Sequence, residues 1–293
     1  TTATLDRPTA DATATGFDSV YATATTDAGG GDTATLIGSP GIDYFYGNET
    51  NGYLKAADNS YYNRASGFDT VTADVSAGAP TNGTDVAYLY DSSGDDTLNA
   101  TPTTVTMDRP AADSVASGFD KVYATATTDA GGGDAATLLG SAGVDYFVGR
   151  EAYGYLQASD SSYYNRASGF DFVTATGVSS NDTAWLYDSV LGDLFDANPT
   201  TARFDYGNNS SWNVTAASFD VVHADFAQGS SDSDVLDLLG AGGSDSFIGN
   251  NDDGHMTDGS SYDLWLWSLD ASDTVNADSG DATTGDDTLD VAT

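Results

Sequence analysis

The chain has 293 residues and a formal net charge of -37, because 45 Asp and Glu side chains are balanced by only 8 Lys and Arg. A surface this acidic excludes nucleic acids and anionic lipids as partners, since both bind basic surfaces by releasing counterions. The absence of Cys excludes disulfides, thiolate nucleophiles and cysteine-ligated zinc. The sequence contains no run of about 18 apolar residues, so it does not predict a segment that crosses a membrane.

The composition predicts a folded protein rich in Asp. Hydrophobic residues make up 39% of the chain, with 17 Tyr, 12 Phe and 4 Trp, which is enough to bury a core. The acidic residues are nearly all Asp, since the only Glu are Glu49 and Glu151. Asp is the short carboxylate that caps turns and binds hard cations. The bias predicts turns, calcium or both, and it suits a protein that is secreted or exposed on a cell surface.

The first predicted element is a corner motif that repeats along the chain. Its sequence is GFDSV at residues 16–20, and GFDTV, GFDKV and GFDFV follow at intervals of 51 residues. SFDVV begins 49 residues later, and ASDTV is a degraded sixth copy. Self-similarity at a fixed period of this length indicates a repeat architecture.

Longer segments repeat at twice this period. DRP, YATATTDAGGGD and YYNRASGFD each recur 102 residues after their first copy, so two 51-residue units form one superunit. We predict a single continuous array with superunits at residues 1–102 and 103–200 and divergent terminal repeats at residues 201–293. Terminal repeats diverge when they cap a stack or meet a partner.

Within a unit, the predicted elements are short strands. Apolar residues alternate over residues 20–24 and 34–36 and around Phe45, and Gly, Asp, Asn or Pro bound each run. We predict an all-β fold, a repetitive β-solenoid of the parallel β-helix or β-roll type with two coils of about 25 residues per unit. The alternative is a β-propeller of five or six blades. The small inner residues and the nested period favour the solenoid.

The two ends of the chain match neighbouring parts of the repeat. The first residues, TTATLDRP, match Thr103–Pro110, and the last residues, GDDTLDVAT, match Gly94–Pro102. We therefore expect the array to begin and stop at nearly the same corner, which suits either closure of a ring or continuation head to tail into another copy.

Three Asp positions recur in the units and form predicted columns. They lie in the corner motif, after the Gly-rich loop, and in a motif of the form Gly-small-x-Gly-x-Asp. Stacked carboxylates repel one another unless a cation bridges them, and calcium is the natural bridge. In the alternative, each Asp accepts hydrogen bonds from turn amides and needs no ion. The candidate metal ligands are Asp18, Asp32, Asp43, Asp69, Asp85, Asp96, Asp120, Asp134, Asp145, Asp171, Asp182, Asp193, Asp220, Asp234 and Asp245.

The third Asp position lies in GSPGIDYFYG, GSAGVDYFVG and GAGGSDSFIG, which begin at Gly38, Gly140 and Gly240. These segments resemble the calcium-binding nonapeptides of RTX-type β-rolls, and the resemblance implies calcium as a cofactor. They depart from that family because each unit holds one motif, whereas RTX nonapeptides follow one another and bind ions between adjacent turns. Two intervening copies, DSSGDDTLNA and DSVLGDLFDA, lack the leading Gly.

The segment YYNRAS occurs at residues 61–66 and 163–168 and contains two of the few cations. Tyr and Arg are favoured in protein contacts and over aromatic faces, so we predict a protein contact or a sugar-stacking platform. In the alternative, each Arg neutralises neighbouring Asp while the Tyr cover an edge of the solenoid. The candidate contact residues are Tyr61, Tyr62, Arg64, Tyr163, Tyr164 and Arg166.

Seven Asn-x-Ser/Thr sequons provide glycosylation acceptors if the protein passes through a modifying secretory route. They begin at Asn48, Asn82, Asn99, Asn181, Asn208, Asn209 and Asn213.

Catalytic signatures are missing from the sequence. It has two His and lacks His-Glu-x-x-His, Gly-x-Ser-x-Gly and a Walker loop. A glycosidase needs only two carboxylates, so a polysaccharide-degrading enzyme is the third alternative. A lyase acting on acidic polysaccharide would need more cations than this chain has. We predict that the chain is not an enzyme.

The full pattern, GFDxVxAxA followed by GGGDxAxLxxSxGxDxFxG, resembles the acidic tandem repeats of very large secreted or surface proteins of planctomycete-type bacteria, and it covers essentially the whole chain. The resemblance implies an extracellular structural or adhesive role. We predict a structural protein whose copies assemble head to tail into a fibre, surface filament, surface layer or biofilm matrix. The alternative is a calcium-rigidified adhesin or stalk module that binds extracellular glycans.

Overall fold

The computed structural model describes residues 2–6, 11–25, 31–78, 84–127, 133–208, 212–227, 234–240, 246–249, 253–257, 262–269, 273–278 and 288–291. The fold is all-β, with 60% strand and the topology of a β-solenoid of about 5 turns. The solenoid prediction is confirmed. The propeller alternative is wrong, because strands about 40 residues apart pair in parallel, whereas propeller blades are separate antiparallel sheets.

Most of the described strands are short segments in which buried and solvent-facing side chains alternate, as the period of two predicts. The strands of the first part are β1 (Thr2–Asp6), β2 (Ala12–Thr15), β3 (Ser19–Thr23), β4 (Thr33–Ile37), β5 (Asp43–Asn48), β6 (Asn51–Ala56), β7 (Tyr62–Ser66), β8 (Thr70–Asp74), β9 (Val86–Tyr90), β10 (Thr97–Ala100), β11 (Thr104–Asp108), β12 (Asp113–Ser117), β13 (Lys121–Thr125) and β14 (Ala135–Leu139).

The remaining strands continue this pattern. They are β15 (Asp145–Arg150), β16 (Tyr153–Ala158), β17 (Tyr164–Ser168), β18 (Phe172–Thr176), β19 (Thr183–Tyr187), β20 (Leu194–Asn198), β21 (Thr201–Asp205), β22 (Asn213–Ala217), β23 (Val221–Asp225), β24 (Val235–Leu239), β25 (Ser246–Gly249), β26 (Gly254–Thr257), β27 (Asp263–Trp267), β28 (Thr274–Asp278) and β29 (Thr288–Val291). Two short 3-10 segments lie at Ser76–Gly78 and Tyr206–Asn208. Among the described residues, no helix has the length and apolarity needed to cross a membrane.

Each 51-residue unit contributes five strands, and the chain enters a sheet three times within the unit. A single strand enters one sheet, the next enters the other, and an antiparallel trio returns to the first, as β3, β4 and β5–β7 show. Because three is an odd number, the next unit begins in the opposite sheet, where β8 pairs with β4. Its second strand, β9, then enters the first sheet and pairs with β5. Two units are needed to return to the starting sheet, so segments 102 residues apart lie in the same sheet.

The chain divides into two compact units. Unit 1 comprises Thr1–Thr137 and Ser161–Phe170, and unit 2 comprises Leu138–Asp160 and Asp171–Thr293. In unit 1, one sheet has the strand order β2-β1-β4-β8-β12-β11-β10, and we name it the threonine sheet after its outer side chains. The other has the order β3-β7-β6-β5-β9-β13-β17, and we name it the tyrosine sheet. In unit 2, the two orders are β18-β22-β21-β20-β24-β28 and β16-β15-β19-β23-β27-β26-β25-β29.

The inner side chains of the two sheets form the core of unit 1. Leu36, Phe45 and Leu89 are fully buried there, and burial of a side chain of this size contributes about 1.5–3 kcal/mol. The packing is close at Gly47, where a Cβ would lie 2.5 Å from the hydroxyl of Ser114. The small inner residues that favoured the solenoid therefore allow the two sheets to pack closely in this unit.

Two expectations about the repeat are wrong. The coils are not about 25 residues long, because the trio of strands stays in one sheet and lengthens each turn to about 40 residues. In addition, β29 pairs in parallel with β25 as β9 pairs with β5. Within GDDTLDVAT, the described strand β29 therefore occupies the position of the second strand of a unit, which is that of β9 and not that of β10.

Candidate functional site

The recurring Asp residues lie at the corners of the solenoid, where a strand begins. At these corners, the carboxylate of one Asp accepts the backbone amide of an Asp from the preceding turn. Asp85 Oδ1 accepts the amide of Asp43 at 2.7 Å, and Asp120 Oδ2 accepts the amide of Asp85 at 2.8 Å. In the same way, the amides of Asp32, Asp96, Asp145, Asp182, Asp193 and Asp234 donate to the carboxylates of Asp69, Asp134, Asp182, Asp220, Asp234 and Asp273. We name these contacts the aspartate ladder.

The ladder joins different Asp positions of the repeat. Asp43 lies in the glycine-containing motif, Asp85 precedes the second strand of its unit, and Asp120 lies in the corner motif. A turn of about 40 residues is shorter than the 51-residue unit, so a corner meets a different part of the repeat one turn later. The expectation that equivalent Asp stack on one another is wrong for these contacts. The alternative, in which Asp accepts amides, describes them.

The segment GSPGIDYFYG is a hydrogen-bonded turn. Asp43 accepts the amide of Ser39 at 2.7 Å and its hydroxyl at 3.0 Å, and the Ser39 hydroxyl accepts the amide of Gly41 at 3.1 Å. The space at Gly38 is too small for a larger residue, since a Cβ there would lie 2.5 Å from Asp43 Oδ2. The same Ser-Asp arrangement recurs at Ser92 and Asp96, Ser141 and Asp145, and Ser189 and Asp193.

The corner motif GFD has a structural explanation for each residue. Gly67 has φ 74°, in the left-handed region that favours glycine, and a Cβ there would lie 2.5 Å from the carbonyl oxygen of Ala24. Phe68 is buried, and Asp69 accepts the amide of Asp32 at 2.9 Å. The motif therefore makes the turn, fills the core and satisfies a backbone donor.

Two other candidate ligands contribute backbone groups. The carbonyl of Asp18 accepts the amide of Tyr62 at 2.8 Å, and the carbonyl of Asp171 accepts the amide of Asn213 at 2.8 Å. Asp245 lies outside the described residues.

Burial of the ladder carboxylates has an electrostatic cost. Asp85 is 1% exposed, and this burial raises its pKa to about 7, although the hydrogen bond from the Asp43 amide opposes the shift. Burial also raises the pKa of Asp43, and its contacts with Tyr61 and Ser39 oppose that rise. The carboxylates remain inside because each satisfies a backbone amide that would otherwise be unpaired.

No group of three or more His, Cys, Asp or Glu side chains that could hold a metal ion occurs in the part of the chain that the structure describes. The ladder carboxylates use their oxygens on amides and Ser hydroxyls, so the described contacts are explained without an ion. Calcium binding stays a prediction.

Some residues of the predicted partner contact are buried in unit 1, and the others lie on its surface. Tyr61 and Tyr163 are buried, at 3% and 2% exposed, which removes them from the predicted contact set. Tyr62 and Arg64 lie on the outer side of β7, and Tyr164 and Arg166 occupy the matching positions of β17.

These outer side chains join a row of tyrosines that sequence reasoning missed. Successive ring centroids are 4.8–5.8 Å apart along the tyrosine sheet. The signal in the sequence is a Tyr at alternate positions of several strands, but strand order is needed to bring them together. We name this row the tyrosine ladder, and it comprises Tyr21, Tyr62, Tyr53, Tyr46, Tyr88, Tyr123 and Tyr164.

The sequons fall on several surfaces. Asn48, Asn99 and Asn181 are exposed, and Asn213 is half-buried. Asn82 and Asn209 lie outside the described residues, as does the side chain of Asn208. Glycosylation stays a prediction.

Comparisons of the chain with protein-family models, with curated proteins and with solved structures give no match. The functional proposal therefore depends on the geometry of the described residues.

The aspartate ladder predicts a large effect of Asp182→Ala. Asp182 is 0% exposed, and it accepts the amides of Asp145, Val178 and Ser179 at 2.8–2.9 Å. Each unsatisfied buried donor costs about 1–3 kcal/mol, so we expect the variant to lose about 3 kcal/mol or more of unfolding free energy. Asp182→Asn keeps one acceptor oxygen and should lose less. Urea unfolding measures both.

The matched control is Asp225→Ala, which removes one exposed contact of 3.2 Å. Its effect should stay within about 0.5 kcal/mol. If Asp182→Ala unfolds at the same urea concentration as the wild type, the ladder does not stabilise the fold.

The raised pKa of Asp85 predicts a stability that depends on pH. The folded pKa of about 7 exceeds the usual value of 3.8, so the folded state binds this proton more tightly than the unfolded state. The resulting stabilisation is complete below the unfolded pKa and is lost as the pH rises through the folded pKa. Asp85→Asn cannot ionise, so its melting temperature relative to the wild type should rise between pH 4 and pH 8, about the range that these two pKa values bracket.

Melting temperatures of both proteins across this pH range give the test. Asp58→Asn is the control, because hydrogen bonds from Ser60 lower the pKa of Asp58. That variant should show no such relative gain. A difference between Asp85→Asn and the wild type that does not change with pH would contradict the assignment.

The hydrogen-bonded corners also bear on calcium. Since the described ladder carboxylates already accept amides, we expect the same melting temperature in calcium and in magnesium at equal ionic strength, after chelation of residual metal. A rise specific to calcium would instead favour the ion-binding hypothesis.

Proposed function

We propose that this chain is a structural β-solenoid of an extracellular filament or surface layer, and that it lengthens when a second copy stacks further strands on its end strands. The proposal is for a scaffold and not for an enzyme. The observation that carries it is the exposure, at an end of unit 1, of side chains whose repeat equivalents are buried.

Phe17 shows this exposure. It precedes β3, which is the last strand of the tyrosine sheet in the described order. Phe17 is 60% exposed, whereas the equivalent residues of later corners, Phe68, Phe119, Phe170 and Phe219, are 3–5% exposed. In two of those corners a ring of the preceding turn packs against the phenylalanine, since Phe119 lies 6.2 Å from Phe45 and Phe219 lies 6.0 Å from Phe147. A further turn beyond β3 would bury Phe17 in the same way.

A buried polar side chain supports the same proposal. Asn63 of β7 is 0% exposed, and its side-chain nitrogen and oxygen have no hydrogen-bond partner among the described residues. Its repeat equivalent, Asn165, donates to the carbonyl of Thr101, in the turn between β10 and β11, at 2.9 Å. An added turn of the same type would supply the missing acceptor. An unpaired buried amide favours such an addition, because it costs about 1–3 kcal/mol.

Unit 2 also has an exposed end strand. All five residues of β28 are exposed, including Val275 at 36%, whereas the equivalent Val222 of β23 is buried. Open strand edges pair with other chains unless they are covered. Both units therefore offer end strands whose inner residues are already those of a solenoid turn.

Phe17→Asp tests this proposal. The residue is exposed, so the fold should persist, but the charge should prevent a second copy from covering this end. We expect light scattering to show association of the wild type as its concentration rises, and negative-stain electron microscopy to show shorter filaments for the variant.

Val190→Asp is the matched control, because Val190 is 68% exposed and is not an end-strand residue. It should associate like the wild type. A wild-type protein that stays monomeric at high concentration, or a Phe17→Asp variant that forms filaments of normal length, would overturn the proposal. Far-ultraviolet circular dichroism confirms that each variant is folded.

A further inference from the structure

The outer side of the tyrosine sheet in unit 1 has a composition unlike that of the chain. Each of its seven strands presents three outer residues, and nine of these are Tyr, four are Lys or Arg, and none is acidic. We name this surface the tyrosine face. It is defined by Tyr21, Tyr44, Tyr46, Tyr53, Tyr62, Tyr88, Tyr90, Tyr123, Tyr164, Lys55, Arg64, Lys121 and Arg166. Half of the chain's 8 Lys and Arg lie on this face, although the net charge of the whole chain is -37.

The outer side of the threonine sheet has the opposite charge. Its outer residues include eleven Thr and four Asp, and none is Lys or Arg. We name this surface the threonine face. It is defined by Thr2, Thr4, Thr13, Thr15, Thr33, Thr35, Thr70, Thr72, Thr97, Thr104, Thr106, Asp6, Asp74, Asp108 and Asp113. Unit 1 therefore has one face with four positive charges and one face with four negative charges.

The rings of the tyrosine ladder are turned towards one another. Tyr46 stacks on Tyr53 at 4.8 Å and on Tyr88 at 4.9 Å, with interplanar angles of 17° and 19°. Rings that stack in this way use their faces on neighbouring rings, which argues against a sugar-stacking platform at these positions. What the surface offers to a partner is phenol hydroxyls beside ammonium and guanidinium groups, which are hydrogen-bond donors.

Acidic pairs lie at the threonine face, and the outer residues of its described strands include no Lys or Arg. The carboxyl groups of Asp6 and Asp11 contact each other, and this contact raises the pKa of Asp6. Asp108 and Asp113 repeat the arrangement 102 residues later. Burial and the repulsion from Asp108 raise the pKa of Asp113, and the amide and the charge of the buried Arg109 oppose that rise. Like charges on adjacent strands are destabilising, so a cation placed over the outer side of these pairs reduces their repulsion.

We propose that the tyrosine face of one copy binds the threonine face of a second copy, so that solenoids associate side by side. This contact deepens the proposed structural function by adding lateral association to growth at the ends. Lys and Arg of one copy meet Asp of the other, and phenol hydroxyls meet Thr hydroxyls. Two different faces form this contact, so each copy keeps one face open, and association continues into a bundle or layer.

A charge exchange on one face at a time tests the proposal. The first variant carries Lys55→Asp and Lys121→Asp on the tyrosine face, and the second carries Asp6→Lys and Asp108→Lys on the threonine face. Each variant alone has one face whose positive and negative charges cancel, so the charge attraction between its two faces is lost and its lateral association should weaken about tenfold or more relative to the wild type. An equimolar mixture should associate again, because the unaltered tyrosine face of the second variant meets the unaltered threonine face of the first, and the exchanged charges meet across the two altered faces. Sedimentation velocity gives the association of each sample.

The second variant separates the proposal from an effect of net charge. It makes the chain less acidic, so general repulsion predicts stronger association than the wild type, whereas the face contact predicts weaker association. The control Asp58→Lys with Asp225→Lys has the same change in net charge outside both faces, and it should not associate less than the wild type. Recovery in the mixture also shows that both variants are folded.

Filament dimensions distinguish this proposal from growth at the ends. Negative-stain electron microscopy should show thinner assemblies of normal length for the face variants, and shorter assemblies of normal width for Phe17→Asp. A mixture that associates no better than either variant alone would overturn the proposal. So would wild-type copies that do not associate side by side but bind polygalacturonate through Lys55 and Lys121, because the occupant of the tyrosine face would then be an anionic polysaccharide.

Discussion

A backbone amide at the corner of a solenoid turn has left one strand and has not yet entered the next, so the strand ladder gives it no acceptor. In both units, the carboxylate of an Asp from the following turn accepts this amide. One side chain thereby fixes the height of the next turn and the register in which its strand begins. The parallel pairing of β5 with β9 and of β15 with β19 follows directly after such a contact. The sheets depend on the corners for their alignment.

This interaction also explains the composition. The acceptor must reach an amide on the adjacent turn without crossing the corner, and the short side chain of Asp suits this distance better than the longer side chain of Glu. The chain accordingly has only two Glu among its 45 acidic residues. The arrangement places carboxylates where water is scarce, as the raised pKa of Asp85 shows. The net charge of -37 is thus in part a consequence of how the corners are built.

The repeat, the strands and the solenoid class could be predicted because local sequence patterns indicate them. The period of 51 residues and the alternation around Phe45 need no knowledge of contacts. The length of a turn could not be predicted, because nothing in the local sequence shows that β5, β6 and β7 remain in one sheet. The partners of Asp43 and Asp85 depend on that length, so the contacts of the aspartate ladder could not be predicted from the sequence either. The tyrosine face was missed for the same reason, since Lys55 and Lys121 become neighbours only through strand order.

The inner and outer residues of unit 1 repeat with different periods. The difference distinguishes the residues that build the core from the residues that form the surface. Inner positions repeat every unit, as Val20, Val71 and Val122 do. Outer positions alternate, since Tyr21 is followed by Thr72 and then by Tyr123. Because successive units start in opposite sheets, alternation by unit puts Tyr on one side and Thr on the other. A single 51-residue sequence copied without change would build the same core and the same corners, and it would give the two sides the same surface. The core and the corners repeat every 51 residues, so the 102-residue period is expressed in the outer side chains of the two faces.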